Sequence, residues 1–266
     1  MRQTLLILSL LWFTTLTMPA QDWARAKLDK SPRHQEWVKI TSGARQVQCF
    51  VVYPEVKDKA TAIVMIHEIF GLTDWAREMA DELAGEGYIV VAPDLLSGAG
   101  PNGGGSDSFT NQSTVTKAVS LLPSEQVTAD LSAAADYAAK IPAANGKVVV
   151  AGFCWGGGQS FHFATTNKDV KAAFVFYGPP PQKPDDMAKI TCPVYGFYGG
   201  NDARITVTVP KAAEAMRAAG KTYEPVIYDG AGHGFMRAGE APDATDANKK
   251  ARAAAFQRWL DLLKKI

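Results

Sequence analysis

The chain has 266 residues, of which 47% are hydrophobic and 21% charged, a composition typical of a globular protein with a sizeable core. With 28 Lys+Arg against 27 Asp+Glu its formal net charge is +1, so its overall charge does not favour a nucleic-acid partner. Its three cysteines cannot form a disulfide framework, and their spacing from the four histidines does not resemble a zinc site, so we expect no cofactor.

Residues 1–20 have the pattern of a secretory signal peptide. Arg2 makes the start basic, residues 5–16 form an apolar run too short to span a bilayer comfortably, and Ala20 is a small residue suited to cleavage. An uncleaved membrane anchor is the alternative. On the first interpretation the mature chain is periplasmic or secreted and keeps no stable membrane anchor.

After a lead-in over residues 21–34, the chain alternates between strand and helix patterns. Strands are predicted, in chain order, at residues 36–41, 46–53, 62–66, 88–92, 147–152, 172–177, 194–198 and 223–228. Helices are predicted from Asp74 to Gly85 or Gly87 and at residues 124–140, 210–219 and 247–265. Residues 97–111 are rich in Gly, Ser, Asn and Pro, which is typical of an irregular surface loop. This alternation predicts one doubly wound α/β domain over residues 35–266.

The sharpest motif follows the strand predicted at residues 147–152. Residues 152–156 have the pattern Gly-x-Cys-x-Gly, with Cys154 between the end of that strand and a helical stretch. This is the nucleophile-elbow pattern with cysteine in place of serine, and the turn is so tight that the flanking positions require glycine. At a helix N-terminus the helix dipole and free backbone amides should favour a thiolate. A buried structural cysteine is the alternative interpretation.

Two candidates for a base and its orienting acid follow Cys154 in the chain order typical of this architecture. Asp202 comes soon after the strand predicted at residues 194–198, and His233 follows the strand at residues 223–228. Because open α/β sheets build their sites at the carboxyl ends of parallel strands, we expect both side chains near the cysteine. His233 would then exchange protons with the thiol while Asp202 orients the imidazole. Taken singly, each is also compatible with an ordinary loop residue.

Two backbone amides are candidates for an oxyanion hole. The first is the N–H of Trp155, the residue after the nucleophile. The second is the N–H of Ile69, because the loop after the strand at residues 62–66 is where hydrolases of this architecture place the second donor.

Five motifs, in order, resemble the dienelactone hydrolase family, a cysteine branch of the α/β-hydrolases, and the resemblance runs from about residue 36 to the C-terminus. They are residues 67–71 (HEIFG), 87–88 with 92–95 (GY and APDL), 152–157 (GFCWGG), 199–202 (GGND) and 232–235 (GHGF). The resemblance implies the α/β-hydrolase fold, a mostly parallel sheet with helices on both faces. It also implies a small-molecule lactone or activated ester as substrate, cleaved through a thioester acyl-enzyme.

The same resemblance assigns roles to individual residues. Cys154, Asp202 and His233 take the positions of the catalytic triad. Glu68 takes the place of a buried glutamate that helps to deprotonate the cysteine when substrate binds. The substrate-binding candidates are Arg237, in the position of an arginine that holds a substrate carboxylate, together with Phe70 and Arg204.

The sequence also departs from the family pattern. Well-studied members carry a second carboxylate-binding arginine after the strand that ends near Pro93, whereas residues 97–111 contain none. The substrate is therefore open, and we expect enol, phenol or strained-lactone leaving groups to react far better than alkyl esters. An acyltransferase or thioesterase with the same triad, and a non-catalytic binding protein, are the alternative functions. The sequence is compatible with a monomer or a small oligomer, and with Cys49 and Cys192 either free or bridged.

Overall fold

The computed structural model describes residues 21–266, so the predicted signal peptide lies outside the described residues. Eight strands form one sheet. They are β1 (Gln35–Ser42), β2 (Arg45–Val52), β3 (Ala60–Ile66), β4 (Ile89–Pro93), β5 (Ala144–Phe153), β6 (Ala173–Phe176), β7 (Val194–Gly199) and β8 (Tyr223–Tyr228). Across the sheet their order is β1-β2-β4-β3-β5-β6-β7-β8. The hairpin β1–β2 and the β2–β4 pair are antiparallel, and all other pairs are parallel.

Helices cover both faces of this sheet, which confirms the predicted doubly wound architecture. They are α1 (Asp22–Leu28), α2 (Asp74–Gly85), α3 (Gln112–Ser120), α4 (Ser124–Lys140), α5 (Trp155–Thr166), α6 (Pro184–Met187), α7 (Ala203–Thr206), α8 (Val209–Ala218), α9 (Phe235–Ala238) and α10 (Asp246–Leu263). Side chains of α4, α5 and α8 pack into the core on one face, and those of α2, α9 and α10 pack into the core on the other.

Strand β3, which was predicted from a short apolar run, contributes side chains to the hydrophobic cores on both faces of the sheet. Val64 and Ile66 belong to the core that includes α4, whereas Ile63 and Met65 belong to the core that includes α2. Because successive side chains of a strand point to opposite faces, a strand covered on both sides must be apolar throughout. The loop that begins at residue 67 and carries site residues thus starts from the end of a buried strand.

Five helices were not predicted: the four-residue helices α6, α7 and α9, helix α1, which lies within the lead-in and packs on α2, and helix α3, which follows the glycine-rich segment. That segment, predicted to be irregular, contains two 3₁₀ turns, Pro101–Gly103 and Ser106–Ser108. It is held by side chains distant in sequence, since Asp94 accepts hydrogen bonds from the Ser106 backbone N–H and hydroxyl, each at 2.7 Å. The Ser106 hydroxyl in turn accepts from the Leu72 N–H at 2.9 Å, which ties the segment to the loop after β3.

The two edges of the sheet are β1 and β8. Trp37 on β1 and Ile227 on β8 are exposed apolar side chains, and Pro225 lies within β8 opposite Gly196 of β7. Proline has no backbone N–H, so it is tolerated in strands chiefly at such edges.

Cys49 and Cys192 are both free and buried, so the alternative of a bridge between them does not hold in this fold. Over residues 21–266, no helix combines the length and apolar character that a membrane crossing demands.

Candidate active site

The site is centred on Cys154, in the sharp turn between β5 and α5. The residue has φ 56° and ψ −117°, a left-handed conformation that side chains rarely adopt. A Cβ on Gly152 would lie 2.0 Å from the Gly156 carbonyl oxygen, and a Cβ on Gly156 would lie 2.4 Å from that of His67. The expected steric reason for both glycines is therefore confirmed.

The structure brings Asp202 and His233 to this turn. The Nε2 atom of His233 lies 3.1 Å from the Cys154 Sγ, and the Nδ1 atom lies 2.5 Å from a carboxylate oxygen of Asp202. Asp202 is 6% exposed, whereas the His233 side chain remains 32% exposed. The buried carboxylate of Asp202 thus binds one ring nitrogen of His233, and the other ring nitrogen contacts the thiol.

Backbone contacts fix the two loops that carry these residues. Asp202 lies between β7 and α7, directly before the first residue of that helix, and His233 follows β8, the next strand in the sheet. The Asn201 N–H donates to the Ala231 carbonyl at 2.9 Å, which joins the loops directly. Asn248 at the start of α10 accepts from the Gly232 N–H at 3.0 Å. The histidine loop is therefore anchored both to the acid loop and to the last helix.

Glu68 and Arg237 form an ion pair beside the thiol. The Arg237 Nε donates to a Glu68 carboxylate oxygen at 2.6 Å, and Glu68 is 3% exposed. The Arg237 guanidinium carbon lies 5.2 Å from the centre of the Phe70 ring, within cation–π range. Arg237 thus contacts both Glu68 and Phe70, and all three are predicted site residues.

Burial raises the pKa of the Cys154 thiol, and the negative charge of Glu68 raises it further. Hydrogen bonding from the backbone N–H groups of Trp155 and Ile69 and the positive charge of Arg204 lower it, but the net shift is upward. The helix N-terminus therefore does not by itself bring the pKa of this thiol below its ordinary value. The two amides do stabilise the thiolate as expected, yet they are outweighed by desolvation and by Glu68.

Two buried rings that the sequence did not assign to the site complete its walls. His67 is fully buried, and because its Nδ1 lies 2.7 Å from the Glu68 carbonyl oxygen, that nitrogen must donate. Its ring stacks on Trp155 at 5.6 Å. Tyr177, with φ 42°, packs edge-on against His233 at 5.1 Å. A usable signal existed for both, since each lies at the carboxyl end of a parallel strand, where sites of such sheets form.

Within residues 21–266, one group of acidic side chains has the spacing of metal ligands: Glu78, Glu82 and Glu240 offer oxygens within 4.8 Å of one another. Two cations of the protein already bind this group. Lys27 donates to Glu78 at 2.9 Å and to Glu240 at 3.0 Å, and Arg252 donates to both Glu82 and Glu240. The cluster is an ion-pair network.

The sheet order, the strand–turn–helix at Cys154 and the loops after β7 and β8 define an α/β-hydrolase fold. Comparison with known proteins identifies the family within this fold class. The model of the dienelactone hydrolase family matches residues 47–266, and the chain belongs to that family of hydrolases.

Individual relatives agree with this assignment. A Salmonella typhimurium protein named "Putative carboxymethylenebutenolidase" is 33% identical over 234 residues, which cover 84% of each chain. A protein of the same name from Methylorubrum extorquens is 35% identical over 210 residues, covering 74% of this chain and 71% of that one. The crystal structure titled "Putative Dienelactone Hydrolase" from Klebsiella pneumoniae superposes with a TM-score of 0.77 at 29% identity, over 88% of this chain and 99% of that chain.

Proposed function

We propose that the protein hydrolyses lactones or activated carboxylic esters, with Cys154 as nucleophile, His233 as base and Asp202 as the orienting acid. The observation that carries the proposal is the unbroken line of contacts from thiol to imidazole to buried carboxylate, at 3.1 Å and 2.5 Å. This arrangement of nucleophile, base and orienting group is the one that covalent catalysis of acyl transfer requires.

In the first half of the proposed reaction, Glu68 takes the proton of the Cys154 thiol once bound substrate has drawn Arg237 away. The sulfur then bonds to the substrate carbonyl carbon, and the backbone N–H groups of Ile69 and Trp155 hold the negative oxygen. When the tetrahedral intermediate collapses, the carbon–oxygen bond to the leaving group breaks, and that oxygen receives the proton from Glu68. The product is a thioester on Cys154.

In the second half, His233 takes a proton from water while the water oxygen attacks the thioester carbonyl. Collapse breaks the carbon–sulfur bond and releases the carboxylic acid. The proton on His233 returns to the Cys154 sulfur, so the enzyme is regenerated as the thiol. Asp202 keeps the imidazole in the orientation that both transfers need.

This scheme predicts strong discrimination between leaving groups. A thiolate is itself a good leaving group, so the intermediate formed from a plain alkyl ester mostly reverts, whereas a phenolate or enolate departs forward. We expect kcat/KM for phenyl acetate to exceed that for ethyl acetate by about a hundredfold or more, measured by release of acid. Faster hydrolysis of the ethyl ester would contradict the cysteine mechanism.

The identity of the nucleophile is tested by alkylation and substitution together. Cys49 and Cys192 are buried, and burial raises the pKa of Cys49 to about 12 and that of Cys192 to about 11. Cys154 is only partly buried and two backbone amides favour its thiolate, so iodoacetamide should modify it selectively. We expect phenyl acetate hydrolysis to fall by about a thousandfold after alkylation and in Cys154→Ala. Cys192→Ala is the matched control and should remain active and sensitive to iodoacetamide.

Other outcomes of this experiment point to other functions. Full activity in Cys154→Ala would mean a different nucleophile. Formation of a thioester that turns over only with an added alcohol or thiol would indicate an acyltransferase. Absence of both acylation and turnover with every activated ester would favour a binding protein.

We also propose that the protein is exported after cleavage between Ala20 and Gln21. The support is the basic start and apolar run of residues 1–20. N-terminal sequencing of the protein from its native cells should find Gln21 first, and a chain that still begins with Met1 would contradict export by this route.

A further inference from the structure

One helix binds both ends of the segment that carries the proposed base and the ion-paired arginine, residues 232–240. At the first end, the side-chain oxygen of Asn248 accepts from the Gly232 N–H at 3.0 Å. At the other end, Arg252 donates to the Glu240 carboxylate at 3.2 Å. Asn248 and Arg252 are four residues apart on α10, so they lie on the same face of that helix. The two ends of the segment are therefore held by successive turns of one helix.

The contact with Asn248 fixes a single peptide group, the one that joins Ala231 to Gly232. The Ala231 carbonyl accepts from the Asn201 N–H at 2.9 Å, and the N–H of the same peptide group donates to Asn248. Because the C=O and N–H of a trans peptide point in opposite directions, this group is held from two sides. His233 is the next residue, so the acid loop and α10 together set the direction in which its backbone begins.

Backbone packing closes one side of the histidine loop. A Cβ placed on Gly199, at the end of β7, would lie 2.6 Å from the carbonyl oxygens of both Ala231 and Gly232. The loop thus already touches the end of the strand and has no room to move further toward it. The Asn248 contact lies on the N–H side of the peptide group, so it limits movement of the loop away from the strand.

The chemistry of an asparagine suits this place. A backbone N–H can only donate, so the atom of Asn248 that faces it must be the amide oxygen. Asn248 lies in the first turn of α10, where the Thr245 hydroxyl accepts from its backbone N–H at 3.3 Å. The side chain therefore projects from a capped helix end, and an aspartate at this position would offer the Gly232 N–H a similar oxygen.

The proposed reaction uses His233 in its second half alone. Glu68 takes the thiol proton in the first half, whereas His233 takes a proton from water when the thioester is cleaved. Asp202 and Tyr177 contact the imidazole ring itself, at 2.5 Å from Nδ1 and with ring centres 5.1 Å apart. The ring also depends on where its backbone begins, and displacement of a catalytic group by about 1 Å can cost about a hundredfold in rate.

We propose that Asn248 is a positioning residue for His233, and that it serves the hydrolysis of the acyl-enzyme rather than its formation. The inference rests on the proposed hydrolase function. It adds a residue of the last helix that acts through the peptide group before the histidine and touches neither substrate nor thiol.

The test follows the acyl-enzyme itself. Wild type and Asn248→Ala are mixed with an equal concentration of phenyl acetate, quenched in acid at intervals and measured by intact-protein mass spectrometry. In the variant we expect the rate of thioester formation to stay within about twofold of wild type and the rate of thioester decay to fall by about tenfold. Asn248→Asp keeps an oxygen acceptor at the same place and should recover most of the decay rate.

Lys249→Ala is the matched control, because it introduces the same residue at an exposed position in the same turn of α10. Both of its rates should match wild type. Equal slowing of formation and decay in Asn248→Ala would indicate a general loss of structure. An unchanged decay rate, or an Asn248→Asp variant as slow as Asn248→Ala, would show that the oxygen acceptor is not needed. Each of these results would overturn the inference.

A measurement in the Cys154→Ala background separates this inference from the proposed function, because it needs no turnover. The proton on the His233 Nδ1 faces Asp202 at 2.5 Å, and its low-field NMR resonance is assigned by its loss when His233→Gln is added. We expect Asn248→Ala to speed the exchange of this proton with water by about tenfold.

The two ideas then fail in different ways. The same exchange rate with and without Asn248 would refute the positioning role, whatever the esters show. Failure of every activated ester to acylate Cys154, with an exchange rate that still depends on Asn248, would refute the proposed function alone.

Discussion

At the scale of single residues, the thiol of Cys154 lies between groups that act on it in opposite directions. Burial and Glu68 raise its pKa, while the N–H groups of Trp155 and Ile69 and the charge of Arg204 lower it. The proposed nucleophile is therefore a protonated thiol at rest, next to a carboxylate that Arg237 holds. Such a thiol resists oxidation and alkylation better than a thiolate does, and it needs a base at the moment of reaction.

Glu68→Gln tests whether Glu68 is that base. Loss of its negative charge should lower the pKa of Cys154, so the acidic limb of the kcat/KM profile should move to lower pH. Loss of the base should also reduce kcat/KM by about a hundredfold near neutral pH. The thiolate absorbance of the variant, with Cys154→Ala as the blank, measures the pKa independently of turnover.

The shift in the thiol pKa and the loss of kcat/KM are separate expectations, and either can fail without the other. A shifted thiol pKa with full activity would leave Glu68 as a purely electrostatic neighbour. An exposed glutamate on α4, Glu125, supplies the control, since Glu125→Gln should match wild type in both measurements.

We propose that His67 is a positioning residue in this arrangement. Burial lowers its pKa, so the ring is neutral, and its Nδ1–H donates to the carbonyl of Glu68. That carbonyl and the Ile69 N–H belong to the same peptide unit and point in opposite directions. The hydrogen bond to His67 therefore fixes the direction of one of the two proposed oxyanion donors.

His67→Phe keeps an aromatic ring against Trp155 but removes the donor. We expect kcat for phenyl acetate to fall by about tenfold or more with KM within about threefold of wild type, because the loss is felt when the oxyanion forms. His67→Asn, which retains an amide donor near the Nδ1 position, should recover much of kcat. A rise in KM at constant kcat, or equal defects in both variants, would contradict this role.

At the scale of elements, a charged side chain binds helix α1 to the rest of the domain. Its Lys27 donates to Glu78 on α2 and to Glu240, just after α9. The Gln21 side chain also accepts from the Trp75 N–H at 2.8 Å, in the first turn of α2. Since α9 carries Arg237, the same network connects the lead-in helix to an element of the active site.

This network makes stability depend on pH. Burial and Glu240 raise the pKa of Glu78 to about 8 from its ordinary value of 4.5, against the opposing effect of Lys27. The folded chain then holds a proton that the unfolded chain releases, so the free energy of unfolding should decrease as pH rises from 4.5 to about 8.

Glu78→Gln should remove this dependence. Relative to wild type, we expect the variant to gain about 3 kcal/mol of stability between about pH 5 and about pH 8, measured by urea unfolding at both values. Glu125→Gln, with its exposed carboxylate, should run parallel to wild type. Parallel curves for Glu78→Gln would show that the buried carboxyl ionises in the folded state as it does in the unfolded one.

The elements that the sequence predicted are those determined by residues that lie close together along the chain. A run buried on both faces, as in β3, or a glycine pair around Cys154, is visible in a few consecutive residues. Helix α1 and the segment that contains Ser106 depend instead on partners about 50 and 12 residues away, such as Glu78 and Asp94. The sequence indicated Asp202 and His233 by their order. The end of the strand predicted at residues 172–177 was a usable signal for Tyr177, but its contact with the imidazole exists only in the assembled sheet.

At the scale of the whole molecule, the parallel strands β5, β7 and β8 carry Cys154, Asp202 and His233 beyond their carboxyl ends, whereas β1 and β2 form an antiparallel hairpin at the far side of the sheet. The proposed chemistry therefore belongs to the parallel part of one sheet. Changes in β1 should leave the geometry around the proposed nucleophile intact.

The edges of that sheet also bear on how the protein behaves when it is concentrated or partly unfolded. An exposed edge strand can recruit a strand from another molecule and begin ordered aggregation. In β8, Pro225 interrupts the row of backbone donors, and in β1 the exposed Lys39 places a charge along the edge. Both edges of the sheet are thus poor templates for further strands. This should limit aggregation when the chain refolds at high concentration.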